Sequence, residues 1–207
     1  MLIKIFIYYT VVTKEMDYAN MSSDRARDIL LEFDEDADHV KLGVAGDLYA
    51  LALAFDSRLA RAYSGLANVK LRIIASETIK RGSKDISALV LEDRAMKEEL
   101  ERAISFAQSS LELEPEDPYS HLALGRCYDY AGDSENAIGE MKLAISLDPL
   151  FYTAHFDIGN IYIRAKEYEK ALEHLEIATS SQFPSIAARA KNLMAELIPI
   201  VADQKNM

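Results

Sequence analysis

Hydrophobic positions recur with helical spacing in two consecutive stretches of the chain, residues 121–149 and residues 155–184. In the first stretch, Ala137, Met141 and Ala144 follow one another at intervals of four and three residues. This period places the three side chains on one side of a helix and predicts that this side is buried.

Turn and cap residues divide the first stretch into two helices. Gly132 predicts the end of the first helix, and Asp133 or Ser134 predicts the N-cap of the second. Pro149 predicts the end of the second helix, because proline disfavours helical geometry at the preceding Asp148. The pattern therefore predicts two antiparallel helices joined by a short turn.

The two stretches repeat each other with a step of 34 residues. A fixed period of this size is typical of proteins built from stacked repeats. The small residues Gly125 and Gly159 predict close, buried contacts between the helices of each hairpin, with larger neighbours filling the space beside them. The matched pairs are His121 with His155, Leu124 with Ile158, Gly125 with Gly159, Tyr128 with Tyr162, Ala137 with Ala171, Met141 with Leu175, and Ala144 with Ala178.

These positions resemble the tetratricopeptide repeat family, whose motif is W-x2-L-G-x2-Y, then A-x3-F, then P. The sequence departs from the motif at His121 and His155, which replace the first aromatic residue, and at Met141 and Leu175, which replace phenylalanine. The resemblance implies an all-α fold, a right-handed superhelix of stacked antiparallel helix hairpins with a C-terminal capping helix.

Weaker copies of the repeat upstream extend this organisation, and the hairpin that leads to Pro115 is longer than one repeat. We expect residues 76–95 to extend both of its helices, with Gly82 near the turn and the second helix beginning before Leu91. We also expect the capping helix to bend or end near Pro199. The predicted divisions are an apolar N-terminal segment of uncertain role (1–21), a divergent first hairpin (22–59), an extended hairpin with an insertion near 76–95 (60–117), two regular repeats (118–151 and 152–185), and the capping helix with the tail (186–207).

The first dozen residues, MLIKIFIYYTVV, are aromatic and β-branched, and Lys4 carries their only charge. Their local composition predicts a lone β-strand, although no second strand-like stretch is available to pair with it. The apolar run is shorter than the roughly 20 residues that a membrane span needs. Two interpretations stay open: a segment packed on the repeats, or residues upstream of a start at Met16 or Met21.

Composition narrows the classes of partner. The chain has 34 acidic and 23 basic residues and a formal net charge of -11, and no Lys/Arg-rich run, so we do not expect a nucleic-acid partner. We also do not expect a membrane partner. Cys127 is the single cysteine, which excludes an intrachain disulfide and agrees with the cytoplasmic location that we expect.

No motif of a phosphate-binding loop, a dinucleotide site, a nucleophile elbow or a zinc protease occurs in the sequence. His121 and His155 occupy equivalent places in stacked repeats, roughly 10 Å apart by helix packing, which is too far to share one metal ion. Cys127 is predicted to be a buried, unreactive thiol. We therefore expect no catalytic residues, no metal and no cofactor.

In the tetratricopeptide repeat family the first helix of each hairpin lines a groove that binds a protein or peptide. Carrying this over by spacing gives a groove with four arginines and no acid, bordered by Asp129 and Asp157. We therefore expect a non-catalytic scaffold or adaptor whose partner segment is acidic. The family's two-carboxylate clamp for chaperone tails is disfavoured, because no lysine occupies the required positions. The predicted groove residues are Arg61, Asn68, Arg72, Tyr119, Arg126, Tyr130, Phe156, Asn160 and Arg164.

Two other functional classes stay open from the sequence. One is a regulatory repeat domain that senses a small ligand in a groove or pocket. The other is a membrane-tethered assembly factor that uses residues 1–15 as its anchor. The sequence does not identify the partner, the pathway or the oligomeric state.

Overall fold

The computed structural model describes the backbone of residues 2–36, 39–83 and 85–205, and the side chains of residues 13–30, 40–83 and 85–204. These residues form ten helices and no strand, which confirms the all-α prediction for the described part of the chain. The helices are α1 (Leu2–Asp36), α2 (His39–Phe55), α3 (Ala60–Lys80), α4 (Ile86–Glu92), α5 (Arg94–Leu113), α6 (Pro118–Tyr130), α7 (Ser134–Leu147), α8 (Tyr152–Arg164), α9 (Tyr168–Ala178) and α10 (Pro184–Lys205).

The chain divides into two compact units, Met1–Pro115 and Glu116–Met207. In the first unit α1 pairs with α2, α2 packs on α3, and α3 packs on α5. Buried residues of the first three helices form one apolar core, in which Leu42, Ala45 and Tyr49 of α2 meet Leu66 and Val69 of α3.

The strand predicted at the N-terminus is wrong, because Leu2–Asp36 is a single helix. Strand preference is strongly context-dependent, and a lone strand has no neighbour to satisfy its backbone. The predicted boundary between residues 21 and 22 falls inside this helix. The packing of the side chains of residues 1–12, on which the prediction of a packed segment depends, lies outside the described residues.

The predicted extension near residues 76–95 is confirmed for α3, which runs to Lys80, and α5 with 20 residues is also longer than the 14-residue α7. The predicted start of this second helix before Leu91 is wrong. Gly82 has a φ of 70° and forms the turn, as expected. The helix that leads to Pro115 begins at Arg94, after Leu91, and the short α4 stands before it. The reason is a cap: the carboxylate of Asp93 accepts hydrogen bonds from Met96 N at 3.0 Å and from Arg81 Nη1 at 2.6 Å, which fixes a helix start there.

The second unit consists of the hairpins α6–α7 and α8–α9 and the final helix α10. The turn predicted from the sequence is confirmed, since Gly132 has a φ of 82° and the Asp133 carboxylate accepts a hydrogen bond from Asn136 N at 3.1 Å. At the equivalent turn of the second hairpin, Lys166 takes Gly132's place with a φ of 61°. A non-glycine residue in this conformation is strained.

The helix α10 packs on α9 and α8 and closes the core of the second hairpin. It continues through Pro199 to Lys205, so the helix does not end at that proline. Ala190 and Leu197 bury its inner side against Leu175 and Ala178 of α9. Within the described residues, no helix is long and apolar enough to cross a membrane.

Candidate partner-binding face of the repeats

Close contacts between helices set the position of the candidate site, which lies on α6 and α8. A Cβ atom built on Gly125 would lie 2.9 Å from Met141 Cγ and 3.0 Å from the Ala137 carbonyl oxygen. At Gly159 it would lie 2.9 Å from Leu175 Cγ. Both glycines are buried, as predicted. The first helix of each hairpin is therefore held against the second along one side, and its other side carries the predicted site residues.

Two ion pairs connect α6 and α8 on this face. Arg126 Nε of α6 donates to Asp157 Oδ2 of α8 at 2.6 Å. In the opposite direction, Arg164 Nη2 of α8 donates to Asp129 Oδ1 of α6. The Arg126 and Asp157 side chains are 25% and 19% exposed, whereas the Arg164 side chain is 53% exposed above an Asp129 that is 17% exposed. Each helix thus contributes one acid and one base.

The expectation that Arg126 and Arg164 give this face an excess of positive charge is wrong. Asp157 and Asp129 match them one for one, so the four groups together carry no net charge. Burial raises the pKa of Asp129, although the neighbouring Arg164 opposes that shift. The pKa of Arg126 is raised overall. Burial acts to lower that pKa, but the charge of Asp157 and the hydrogen bond with Asp157, together with nearby Tyr130 and Asp129, outweigh burial.

Aromatic residues stand at both ends of α6. Tyr119 is 59% exposed, and its ring meets the Phe151 ring edge-on, with 4.9 Å between centroids. Tyr130 at the other end is half-buried. Tyr119 and Arg126 are seven positions apart, or about 10 Å along the helix axis. One short ligand segment can therefore reach both the apolar ring of Tyr119 and the charged groups further along α6.

Phe156 does not belong to an open face, which corrects the sequence-based expectation. Its side chain is 4% exposed and belongs to the core that α9 and α10 complete. The Arg189 guanidinium of α10 covers the Phe156 ring, 4.7 Å from its centroid. Asn160 is half-buried, and its Nδ2 donates to the Phe156 carbonyl oxygen at 2.9 Å, within its own helix.

The three predicted site residues of the first unit lie on α3. Arg61 is exposed and contacts α1, donating to Asn20 Oδ1 and lying 3.5 Å from Asp24 Oδ1. Asn68 Nδ2 donates to the Ser64 carbonyl oxygen at 2.9 Å, which repeats the arrangement of Asn160. Arg72 is half-buried. That the eight predicted residues other than Phe156 form one groove remains a prediction.

The two histidines of the repeat motif each contact the second helix of their own hairpin. His121 Nδ1 lies 2.7 Å from Glu140 Oε2, and His155 Nδ1 lies 3.1 Å from His174 Nδ1. Glu140 and His174 are themselves one repeat apart. Burial lowers the pKa of His155, and burial together with His155 and Lys142 lowers the pKa of His174 to about 4. In the described part of the chain, no group of three or more potential ligands could hold a metal ion.

Cys127 has the environment predicted from the sequence. It is fully buried, and burial raises the pKa of its thiol to about 12 even though Arg126 opposes the shift. The thiol therefore stays protonated near neutral pH, which removes the thiolate that nucleophilic chemistry needs.

Three residues that shape the site, Asp129, Asp157 and Arg189, are not among the predicted site residues. A signal for the first two was present: Asp157 is 31 residues from Arg126, and Arg164 is 35 residues from Asp129, each close to one repeat length. When two opposite charges lie about one repeat apart on the first helices of successive hairpins, stacking of the repeats brings them onto neighbouring helices. No comparable signal links Arg189 to Phe156, because α10 stands outside the repeat.

Comparisons with known proteins agree with this architecture. The family model described as tetratricopeptide repeat matches residues 118–149 and 152–182. No curated protein sequence matches the chain significantly. Among solved structures, TTC0263, a thermophilic TPR protein in Thermus thermophilus, has a TM-score of 0.58 at 14% identity and covers 87% of this chain and 97% of its own.

Two other solved structures are more distant in shape. MamA has a TM-score of 0.47 at 18% identity over 91% of this chain and 87% of its own. YrrB, described as a TPR protein with an unusual peptide-binding site, has a TM-score of 0.42 at 22% identity over 86% of this chain and 90% of its own. Of the three, the similarity to TTC0263 alone exceeds a TM-score of 0.5, and at that identity it shows the fold. Residues 118–149 and 152–182 are therefore two tetratricopeptide repeats.

Proposed function

We propose that this protein is a non-catalytic scaffold or adaptor that binds a segment of another protein on the α6–α8 face of its second unit. Members of the family bind proteins or peptides on the faces of their stacked hairpins. The observation that carries the proposal is the crossed pair of ion pairs, Arg126 with Asp157 and Arg164 with Asp129. These pairs hold hydrogen-bonding groups in fixed positions on a face that the helix contacts leave open.

The more exposed cation, Arg164, is the group that best fits contact with a ligand. A guanidinium has five N–H donors in a planar fork, and Asp129 engages Nη2. A carboxylate from a partner can therefore bind the outer side of Arg164 without displacing Asp129. The less exposed Arg126 positions Asp157 and the α6–α8 contact. The ring of Tyr119, exposed at the start of α6, offers apolar contact to the same segment.

The partner that suits this face is an extended or helical segment with an acidic side chain, or a terminal carboxylate, and an apolar residue about 15 Å away, since Asp129, which holds Arg164, stands ten positions after Tyr119 on α6. Because Asp129 and Asp157 already balance the arginines, long-range attraction to a strongly acidic partner is weaker than four unmatched arginines would give. Specificity then depends on the placement of one carboxylate more than on the total charge of the segment.

The test uses the full chain as bait against a displayed library of short peptides, followed by affinity measurements on the enriched sequences. Arg164→Ala should lower affinity for an enriched acidic peptide about tenfold or more, since a charge-assisted hydrogen bond contributes ~1.5–3 kcal/mol. Arg164→Lys should lose part of that affinity, because lysine lacks the planar fork. Arg94→Ala is the matched control: its side chain is 93% exposed and pairs with Glu98 on α5.

Binding should also weaken as salt is added, because the contact is ionic and accessible to solvent. Peptides that bind equally well to wild type and to the Arg126→Ala/Arg164→Ala double variant, at low and at high salt, would show that this face is not the binding site.

A further inference from the structure

A second surface of the molecule, on α2 in the first unit, has the properties of a helix-binding site. The helix is apolar on two opposite sides. Leu42, Ala45, Tyr49 and Ala52 are all less than 5% exposed and pack in the core with α3. The opposite side is open to solvent. It consists of Gly43, Val44, Asp47, Ala50, Leu51, Ala54 and Phe55, all of them exposed.

The large side chains of this open side form a ridge along the helix, in which Asp47 stands between Val44 and Leu51. Val44, Leu51 and Phe55 are 44%, 45% and 39% exposed. Their spacing of seven and four residues keeps them on one line along the helix, over about 17 Å. A helix that is apolar on all sides is normally buried on all sides. Among the described residues the ridge is therefore an uncovered apolar surface, and it exceeds the scattered apolar exposure of an ordinary surface.

The shape of this surface suits another helix. Small residues stand beside the ridge, and a Cβ atom built on Gly43 would meet nothing within 4 Å. Such positions let a second helix approach the backbone closely, with its side chains fitting beside the ridge. At the end of α2, Tyr18 of α1 lies beside Phe55, with 5.6 Å between ring centroids, and adds an aromatic border.

Asp47 decides which helix fits, because it stands near the middle of the ridge. In a symmetric parallel pair of α2 helices, Asp47 would lie beside its own copy within an apolar contact. In an antiparallel pair centred on the ridge, the two Asp47 residues would lie about 8 Å apart along the axis. Like charges in that setting are strongly unfavourable, and each copy carries a net charge of -11. A second copy of this chain is therefore a poor occupant. A basic residue at the centre of the incoming helix would instead pair with Asp47.

We propose that the α2 ridge binds an amphipathic helix of another protein, with apolar residues along one side and a lysine or arginine placed opposite Asp47. The site is separate from the α6–α8 face and uses a different contact, apolar burial with one central ion pair. The chain would then carry two binding surfaces of different chemistry, one in each unit, as a scaffold requires.

The experiment uses the full chain and two synthetic helical peptides that share a leucine- and alanine-rich side and differ at one central position, lysine or glutamate. Affinities come from fluorescence anisotropy. The lysine peptide should bind about two- to fivefold more tightly than the glutamate peptide, given the size of single ion-pair effects near a surface. The Asp47→Lys variant should reverse that order.

Val44→Glu/Leu51→Glu should abolish binding of both peptides. Leu91→Glu on α4, where Leu91 is 71% exposed, is the matched control and should leave binding unchanged. Because Val44 and Leu51 are exposed, the double variant should keep the helical circular dichroism of the wild type. Reversal by Asp47→Lys tests the proposal independently of that variant.

Three results would overturn the proposal. The first is equal affinity for the lysine and glutamate peptides in both wild type and Asp47→Lys. The second is dimerisation of the wild type by analytical ultracentrifugation that Val44→Glu/Leu51→Glu removes, which would assign the ridge to a second copy. The third is binding to phosphatidylserine vesicles that the same variant removes, with no peptide binding, which would assign it to a lipid surface.

Discussion

The second unit places a glycine of each first helix against the second helix of the same hairpin, whereas the first unit places Gly65 of α3 against Tyr49 of the preceding α2. A Cβ atom on Gly125 or Gly159 would approach a flexible side chain, Met141 or Leu175, at 2.9 Å. A Cβ atom on Gly65 would lie 2.6 Å from Tyr49 Cε2, and closer still to Cζ and Cε1. Glycine lets helices approach closely in both units. The neighbouring side chain is a rigid ring in the first unit and a flexible chain in the second.

The difference shows that the repeat motif is one solution among several to the same packing problem. The weaker repeat copy on α3 aligns Leu66 and Ala67 with the leucine and glycine of the motif. Gly65 therefore stands two positions before the residue that replaces the motif glycine. Where the motif has tyrosine, at Tyr128 and Tyr162, the first unit has Lys70, whose Nζ lies 2.8 Å from Glu99 Oε2 of α5. An ion pair between α3 and α5 therefore replaces an aromatic contact, and the pairing of helices is kept.

Gly65→Leu should give the largest loss of stability among the glycine substitutions. Tyr49 is 4% exposed, and its rigid ring has no room to move away. The free energy of unfolding should fall by ~3 kcal/mol or more, at or above the upper end of overpacking effects. Urea unfolding measures this. Gly43→Leu is the control, because Gly43 faces open space; equal losses for the two variants would contradict the role of Tyr49.

Gly125→Leu should cost less, ~1–3 kcal/mol, because the flexible Met141 side chain can adjust around the new group. The nearby carbonyl oxygen of Ala137, 3.0 Å from a Cβ atom there, cannot move as easily and keeps the change destabilising. Gly159→Leu should behave in the same way against Leu175. A thermal melt of Gly125→Leu that matches wild type would disprove the close helix contact.

The contact between His155 and His174 predicts a loss of stability in acid. The pKa of His174 is lowered from 6.5 to about 4, first by burial. The unfolded chain therefore takes up this proton at a higher pH than the folded chain, so stability is constant above pH 6.5 and falls between pH 6.5 and about 4. His174→Glu reproduces the His121–Glu140 pairing beside His155, where a carboxylate favours the charged imidazole.

We therefore expect the His174→Glu variant to lose less stability than wild type between pH 7 and pH 4.5, measured by urea unfolding at each pH. His121→Gln, which changes the other repeat and leaves His174 in place, serves as the control and should keep the wild-type loss that His174 causes. Parallel pH profiles for wild type and His174→Glu would contradict the assignment of that loss to His174.

The turn residues give the smallest predicted effect. Lys166 adopts a φ of 61° at the place where the first hairpin has Gly132. Lys166→Gly should raise the free energy of unfolding by ~1 kcal/mol, because glycine adopts this conformation without steric cost. The reverse change, Gly132→Lys, should lower it by a similar amount. Thermal melts that show no opposite shifts would indicate that the two turns are not equivalent.

Much of the fold in the second unit could be read from the sequence because its signals are local. Gly132, Asp133 and Pro149 act on the backbone within a few residues of themselves, and they mark the turn, the cap and the helix end that the structure has. The extension near residues 76–95 was predicted less well. Asp93 caps a new helix there, and Arg81, twelve residues earlier, also donates to its carboxylate, a contact that the helical periodicity does not reveal.

The candidate site was predicted less completely than the fold. The positions of Arg126 and Arg164 on first helices follow from the 34-residue step, whereas their charge balance depends on Asp157 and Asp129 reaching across from a neighbouring helix. Phe156 was predicted to lie in the groove, but the equivalent Leu122, 34 residues earlier, is also only 4% exposed, so this position is buried in both repeats. The ring of Phe156 is covered by α10, which no repeat motif describes.

The sequence by itself determined the helical class, the 34-residue repeat and the turn that joins α6 to α7, since these follow from side-chain periodicity and backbone geometry along the chain. Tertiary structure decided that Arg126 pairs with Asp157, that Arg189 covers Phe156, and that Gly65 accommodates Tyr49. Such contacts join residues on different helices through long side chains. Their existence depends on how far apart the helices lie and how each is rotated, and packing of the whole core sets both.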